Sequence, residues 1–507
     1  MVRQVSDVRP RQPAGVPLAA VAALLGLDAP AGADPRLTGV SLSSQRILPG
    51  DLYAALPGAR AHGASYAADA VGAGAVAVLT DAAGRQQLAD GVDVPVLEVA
   101  DPRAVLGEVS ALVYGHPCED LTMLAVTGTQ GKTTTTRLLE SGLAGAGIPA
   151  AVIGTVGTRI NGREVETVLT TPEAPDLQGL FARMREEQVQ VCAMEVSSHA
   201  LVLGRVDATV FDVAAFLNLG RDHLDFHRDL DDYFAAKADL FTRRRCRLGL
   251  TNFDDEHGRR LLQIAEVPMR TFSPSGAEAD WRAVEVTLRP GGAAFTVLGP
   301  DELRIETTVP LTGSFNVANA LCAIALAAEG GLDPRRVAEG IAAGSGVPGR
   351  LERIDAGQDF TVVVDYAHKP DAVEAALAAM RPLTDGRVIL VIGAGGDRDT
   401  GKRSLMGEIG ARLADVLIVT DDNPRTEQPS AIRAAVIEGA QQVPHQDRAE
   451  VIEVGNRRSA IAQAVSLAGA GDIVVVAGKG HETGQEIEGV VHPFDDRVEV
   501  RTALEAL

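Results

Sequence analysis

A chain of 507 residues is longer than one hydrophobic core organises and implies about three domains. Apolar residues make up 46% and charged residues 23%, a soluble globular balance, while aromatics at 4% leave the core to Ala, Val, Leu and Ile. A net charge of −21 argues against nucleic acid or an anionic membrane as partner, since both need a basic face, but leaves room for a local phosphate pocket.

Arg3, Arg9 and Arg11 precede "PLAAVAALLGL" (Pro17–Leu27), which imitates a secretory signal. It reads instead as a short amphipathic helix with Pro17 in its first turn and Gly26 at its end. No stretch reaches the ~20 apolar residues of a membrane span, so no membrane insertion is expected. Next, "GDLYAAL" and "GAVAVLTD" read as strands with "GASYAADAVGAG" as a helix between them. The pattern breaks near "YGHPCEDL" (Tyr114–Leu121), and a new α/β unit opens with "TMLAVTGTQGKTTTTRLLESGLAGAG". It continues through "QVCAMEV" and "ATVFDVAAFLNL" to a helix at "NVANALCAIALAAEGG". After a further break at "GSGVPGRLERI" (Gly344–Ile354) come the strand-like runs "FTVVVDYA", "RVILVIGAGG", "DVLIVTDD" and "DIVVVAGKG", separated by helical patterns. That alternation predicts an α/β protein with a doubly wound, mostly parallel C-terminal sheet, whose ligands sit at the carboxyl ends of its strands. The expected domains are 1–118, 119–347 and 348–507. Cys118, Cys192, Cys246 and Cys322 show no CxxC spacing, so reduced thiols are expected rather than a disulfide framework or a zinc site.

"VTGTQGKTTTT" (Val126–Thr136) follows an apolar strand and opens a helix. Thr127, Gly128, Thr129, Gln130, Gly131, Lys132, Thr133 and Thr134 form a phosphate loop of the short G-x-x-G-K-T type. Its glycines let backbone N–H groups crowd a phosphate, Lys132 supplies a point charge, and Thr133 suits Mg²⁺. No N-K-x-D element follows to read guanine, so ATP is the expected nucleotide.

"TGTQGKTT", "EVSSHAL", "NLGRDHLDFH", "GSFNVANALCA", "VPGRLE", "DYAHKPDA" and "GAGGDRDTGKR" occur in this order, and together they resemble the Mur ligases of peptidoglycan synthesis from about Leu37 onward. The nearest resemblance is to the diaminopimelate-adding branch. It implies a three-domain ligase with a central P-loop domain and a C-terminal Rossmann-like domain. Such an enzyme uses ATP and Mg²⁺ to join meso-diaminopimelate to the D-glutamate of UDP-MurNAc-L-Ala-D-Glu through an acyl phosphate. A cytoplasmic monomer that works on small molecules is expected.

The resemblance assigns catalysis and metal binding to Thr133, Lys132, Glu195, His223 and Lys237, the last as N6-carboxylysine; on chemistry alone His227 competes with His223. Asn316 and Asn319 match its adenine side, and Arg350, Asp365 and His368 its other ATP contacts. The UDP-linked substrate falls to Leu42, Ser44, Ala59, Arg60, Ala61, Thr170, Thr171, Ser197 and Arg205. Where the family reads D-S-R, this chain has Ser43-Ser44-Gln45, and a glutamine sometimes found two residues before the arginine is Leu203. Diaminopimelate falls to Arg398, Asp422, Asn423, Pro424, Arg425, Gly478 and Glu482. The guanidinium of Arg425 would grip the far carboxylate that lysine lacks, and Glu482 would meet the far ammonium. Local pairing of Arg425 with Asp421 or Glu427 is the alternative. A folylpolyglutamate-synthetase-like ligase or a regulatory P-loop ATPase would share the phosphate loop, but would leave the D-N-P-R turn or the third domain's arginines unused.

Overall fold

The computed structural model describes residues 8–29, 34–88, 92–289, 291–397 and 399–507. Two compact units result: Met1–Arg282 with Leu321–Gly340, and Ala283–Ala320 with Ile341–Leu507.

The first unit begins with a four-stranded parallel sheet in the order Gly39–Ser41, Asp51–Ala54, Ala77–Thr80, Val96–Glu98. Arg9 is buried beneath it, donating to Asp51 at 2.6 Å and to the Val40 carbonyl at 3.0 Å. The first helix is Leu18–Leu24, and Pro17 is its N-cap rather than a residue of its first turn. Proline offers no side-chain cap, and the Asp34 carboxylate accepts from the Ala19 N–H instead, at 2.9 Å. The helix expected over "GASYAADAVGAG" splits into a 3₁₀ turn, Gly63–Tyr66, and a helix, Ala67–Gly72. The His62 ring accepts from the Ala64 N–H at 3.0 Å and starts the tighter winding.

A larger sheet follows in the spatial order Arg163–Val165, Gly157–Ile160, Ala150–Gly154, Val191–Glu195, Thr122–Thr127, Phe211–Phe216, Cys246–Asn252, Met269–Ser273. The six strands from Ala150–Gly154 onward are parallel, and the first two close the edge as an antiparallel hairpin. Both faces are covered, which is why "TMLAVT" and "VCAME" run almost unbroken in apolar residues. The strand that leads into the phosphate loop lies mid-sheet. Helix Ala174–Glu186 joins this sheet to the N-terminal one: Arg46 grips Asp176 with two bonds of 2.9 and 3.0 Å, and Arg103 reaches Glu173 at 3.2 Å.

In the second unit, Gly292–Leu298 pairs antiparallel with Arg304–Val309. A six-stranded sheet has the order Glu352–Ile354, Thr361–Asp365, Ile473–Ala477, Val388–Ile392, Val416–Val419, Glu450–Glu453, parallel except for its first strand. Separate apolar clusters cover its two faces, giving the doubly wound layout. The chain crosses back to insert Ile473–Ala477 between Thr361–Asp365 and Val388–Ile392, so loops distant in sequence meet at one carboxyl edge.

Candidate active site

Gly128 (φ 154°) and Gly131 (φ 87°) take backbone conformations that side chains resist, and a Cβ on Gly128 would stand 3.0 Å from that of Leu217. Helix Lys132–Gly145 starts directly after Gly131, so its first-turn N–H groups and dipole face the loop. Asn218 clamps the loop from the neighbouring strand end: its carbonyl accepts from Thr129 N at 3.0 Å, and its side chain bonds both N and O of Gln130, at 2.9 and 3.2 Å. The Lys132 amine donates to the carbonyls of Gly128 (2.8 Å) and Thr129 (3.1 Å). Thr133 and Thr134 lie on the first helical turn, both buried, and Thr127 ends the strand.

Glu195 ends the strand beside the loop strand, in register with Val126, and is 1% exposed. Its carboxylate accepts from Thr155 N at 2.9 Å and Thr155 Oγ1 at 3.1 Å. A Cβ on Gly154 would fall 2.2 Å from Glu195 Oε1, so this close approach needs glycine. Thr155 in turn meets Thr170 at 3.0 Å, while Thr171 Oγ1 donates to the Glu195 carbonyl at 2.9 Å and accepts from Ser197 N at 3.2 Å. Arg205 donates to Glu173 at 2.9 Å and to the Thr171 carbonyl at 3.4 Å. Thr170, Thr171, Ser197 and Arg205 therefore gather around Glu195. Leu42 and Ser44 follow strand Gly39–Ser41, and the exposed turn Ala59, Arg60, Ala61 follows Asp51–Ala54, so both groups extend from carboxyl ends of adjacent parallel strands.

His223 has a left-handed backbone (φ 54°), and its ring lies 4.8 Å from that of His199. His227 is buried and committed to Ser198 at 2.9 Å, which makes it a packing residue and separates it from His223. Burial lowers the His199 pKa, with His227 and Arg205 adding to the shift. Lys237, 1% exposed, donates to the Gly128 carbonyl at 2.9 Å and stands 4.6 Å from the centre of the Tyr233 ring.

Among the described residues, no group of three or more His, Cys, Asp or Glu side chains forms a ready-made metal cage. Hard oxygen donors at Thr133 and Glu195 fit Mg²⁺, an ion that keeps waters and takes ligands from substrate phosphates. An ammonium at Lys237 does not fit, whereas its carbamate would.

In the second unit, Asn316 and Asn319 are buried on helix Ser314–Glu329 and share one face: Asn319 Nδ2 donates to Asn316 Oδ1 at 3.0 Å. Arg350 lies over the Tyr366 ring at 4.5 Å. Asp365 ends its strand and accepts from the N–H groups of Leu351 (2.7 Å) and Ala367 (2.8 Å); desolvation still raises its pKa, against the pull of Arg350. Burial, with Lys369 and Lys402 nearby, pushes His368 down to about 4. An unfolded imidazole titrates near ~6.5, so the unfolded chain binds the extra proton between those values. Stability from His368 is therefore full above the unfolded pKa and falls as pH drops towards the folded one. His368→Asn should flatten this part of the profile, read from denaturant melts of the ligand-free protein at several pH values between neutrality and mild acid.

The D-N-P-R turn follows strand Val416–Val419. Arg425 takes φ 52° and pairs through its backbone with the hairpin at 486–488: its N–H donates to Glu486 O at 3.0 Å, and its carbonyl accepts from Glu488 N at 2.7 Å. Its guanidinium donates to Gly396 O at 2.6 Å and meets Glu486 at 3.2 Å. Asp421 and Glu427 are occupied by Arg433 and Arg403, so the local pairing considered for Arg425 does not form. Asn423 Nδ2 donates to Glu482 at 3.0 Å, and Gly478 (φ 120°) packs against Asp422. Arg398 lies outside the described residues.

Sequence reasoning missed Asn218, Tyr233, Glu173 and Lys479. Asn218, in "AAFLNL", and Lys479, in "VVVAGKG", had a signal: each is a polar residue just past an apolar strand, where ligand-binding loops begin.

Residues 36–114 match the Mur ligase family catalytic domain, 126–327 the Mur ligase middle domain, and 349–480 the Mur ligase glutamate ligase domain. A relative from Streptomyces avermitilis, named UDP-N-acetylmuramoyl-L-alanyl-D-glutamate–2,6-diaminopimelate ligase, is 54% identical over 498 residues, 98% of each chain. One of the same name from Corynebacterium glutamicum is 51% identical over 94% of each chain. A solved structure bearing that name superposes with a TM-score of 0.68 at 32% identity, covering 97% of this chain and 99% of the other. With the family's domains in order and such likeness along nearly its whole length, the chain belongs to the Mur ligase family.

Proposed function

We infer that this chain is an ATP-dependent peptide ligase that adds meso-diaminopimelate to the D-glutamate of UDP-MurNAc-L-Ala-D-Glu. Its relatives carry that activity in their names along nearly the full length of this chain. Residues 1–118 would hold the UDP-linked substrate, 119–347 ATP, and 348–507 the amino acid, in a cytoplasmic monomer.

A carboxylate does not condense with an amine in water, because its oxygen is a poor leaving group. Moving the γ-phosphoryl group of ATP onto it gives an acyl phosphate, which the amine attacks with loss of phosphate. The protein's task is to position the groups and neutralise charge on the moving oxygens. Lys132 and the N–H groups of Gly128–Thr134 would cradle the triphosphate. Thr133, Glu195, His223 and carbamylated Lys237 would hold Mg²⁺, which supplies charge neutralisation when bound. Thr170, Thr171, Ser197 and Arg205 would orient the peptide carboxylate, while Arg350, Asp365 and His368, with Asn316 and Asn319, would complete the ATP contacts.

The choice of amino acid rests on Arg425. The hairpin at 486–488 and the left-handed turn fix its backbone, and its five N–H donors exceed its contacts with Gly396 and Glu486, so a bidentate grip on a carboxylate remains open to it. Lysine has no second carboxylate to offer the remaining donors of that guanidinium, and a site built to bond a group discriminates against the analogue that lacks it. The test is phosphate release with meso-diaminopimelate, L-lysine and L-ornithine, each with and without the UDP-linked dipeptide. Release should need both substrates and should favour diaminopimelate. Arg425→Ala should raise KM for diaminopimelate by about two powers of ten and leave KM for ATP nearly unchanged. A wild type that takes lysine as readily, or a variant that loses ATP instead, would overturn this assignment.

A further inference from the structure

The geometry points to Lys479 as the positioning residue of the amino-acid pocket, a role that rests on the ligase reading above. Lys479 follows strand Ile473–Ala477 and is fully buried, at 0% exposure. An ammonium has three N–H donors, and three oxygens face this one: Asn423 Oδ1 at 3.0 Å, Glu482 Oε2 at 3.2 Å and Asp422 Oδ1 at 3.4 Å. All three of these side chains are among those expected to meet diaminopimelate, and Asp422 and Asn423 are adjacent in the D-N-P-R turn.

Lys479 does two things there. First, it decides which way the Asn423 amide points. Oδ1 accepts from the Lys479 ammonium and from Glu486 N, both at 3.0 Å, while Nδ2 donates to Glu482 Oε2 at 3.0 Å. The flipped amide would set its NH₂ group against an ammonium and a backbone N–H and its oxygen against a carboxylate, losing three bonds at once. Second, it holds Glu482. The same Oε2 takes the bonds from Asn423 and Lys479, so the carboxylate is fixed at one end while its side chain stays 32% exposed at the loop surface. A carboxylate locked in this way can meet an incoming ammonium without first giving up rotational freedom.

The charges nearby give Lys479 no substitute. Arg457 also feels Asp422 and Glu482, but its Nε and Nη2 are held by Asp496 at 2.7 and 2.6 Å and by the Ala477 carbonyl at 2.9 Å, and its buried Nη1 bonds neither of those two carboxylates. Arg425 is held by Glu486 and Gly396. Without the Lys479 charge, Asp422 and Glu482 would keep two negative charges in a pocket with no cation directly between them.

The experiment is steady-state ligation by Lys479→Met, Glu482→Gln and the double variant, with all three KM values, kcat and thermal midpoints measured beside the wild type. Lys479→Met keeps an unbranched apolar stem one heavy atom shorter and removes the charge. It should raise KM for diaminopimelate about 30- to 100-fold while kcat and the KM values for ATP and the UDP-linked dipeptide move by less than about threefold. The double variant restores charge balance, which guards against misfolding of the single one. It should lose no more than about threefold beyond Glu482→Gln alone, because Lys479 acts through Glu482 and Asn423. An unchanged KM for diaminopimelate, an equal loss across all three substrates, or a fully multiplicative double variant would each overturn the proposal. A wild type that does not use diaminopimelate would instead overturn the ligase reading, and the two failures are told apart in the same assay.

Discussion

Lys132→Ala is expected to lower ligation by about three to five powers of ten while the protein stays folded. The magnitude follows from what the residue would do. As the phosphoryl group moves, charge spreads over its oxygens in a site closed to water, and an aimed ammonium there is worth ~4–7 kcal/mol of barrier. The fold should tolerate the change, since the Lys132 amine bonds its own loop at the carbonyls of Gly128 and Thr129, and Asn218 clamps that loop independently. Circular dichroism and the thermal midpoint should therefore be close to the parent while phosphate release collapses. Near-normal turnover by a folded variant would remove Lys132 from the mechanism. Lys132→Arg should recover little, because a broad planar fork cannot occupy the position of a compact point charge.

The parallel strands that were legible in both units stood out because strands buried on two faces read as unbroken apolar runs: "VILVI", "VLIV" and "IVVVA" are buried at every position. The phosphate loop was legible for a related reason, since its spacing is local and its backbone demands fall on two glycines. Less could be read where the partner is far away in sequence. Lys479 meets residues 56 and 57 positions away, and Asn218 meets Gln130 at a separation of 88. Those meetings depend on strand order, above all on the insertion of Ile473–Ala477 beside Val388–Ile392, and no local pattern encodes that. Arg425 shows the same effect. Its acidic neighbours Asp421 and Glu427 looked available, but Arg433 and Arg403 take them, and its left-handed backbone turns it towards the hairpin at 486–488.

Replacing Lys237 should be nearly as damaging as replacing Lys132, and the choice of replacement separates two roles. Its amine is buried beside the phosphate loop, donating to Gly128 O at 2.9 Å and lying over Tyr233. As an ammonium it would repel Mg²⁺: two cations, one of them divalent, about 4 Å apart interact unfavourably by several kcal/mol even at an effective dielectric of 20. Reaction of the neutral amine with carbon dioxide forms an N–C bond, releases one proton and leaves a carbamate whose oxygens suit the metal. If the amine served only to hold the loop through Gly128, Lys237→Arg would keep a cationic donor there and should retain much of the activity. If the carbamate is required, Lys237→Arg must fail with Lys237→Ala, because a guanidinium is not carbamylated and cannot become an anionic ligand. Lys237→Ala should also regain a measurable part of its rate in acetate or formate, whose carboxylate can enter the space the side chain vacates, whereas Lys237→Arg, with that space filled, should not. We expect both variants to fall by about three powers of ten or more, with rescue confined to the alanine variant. An arginine variant that turns over near the wild-type rate would show that the lysine holds the loop as a cation and that no modification is needed.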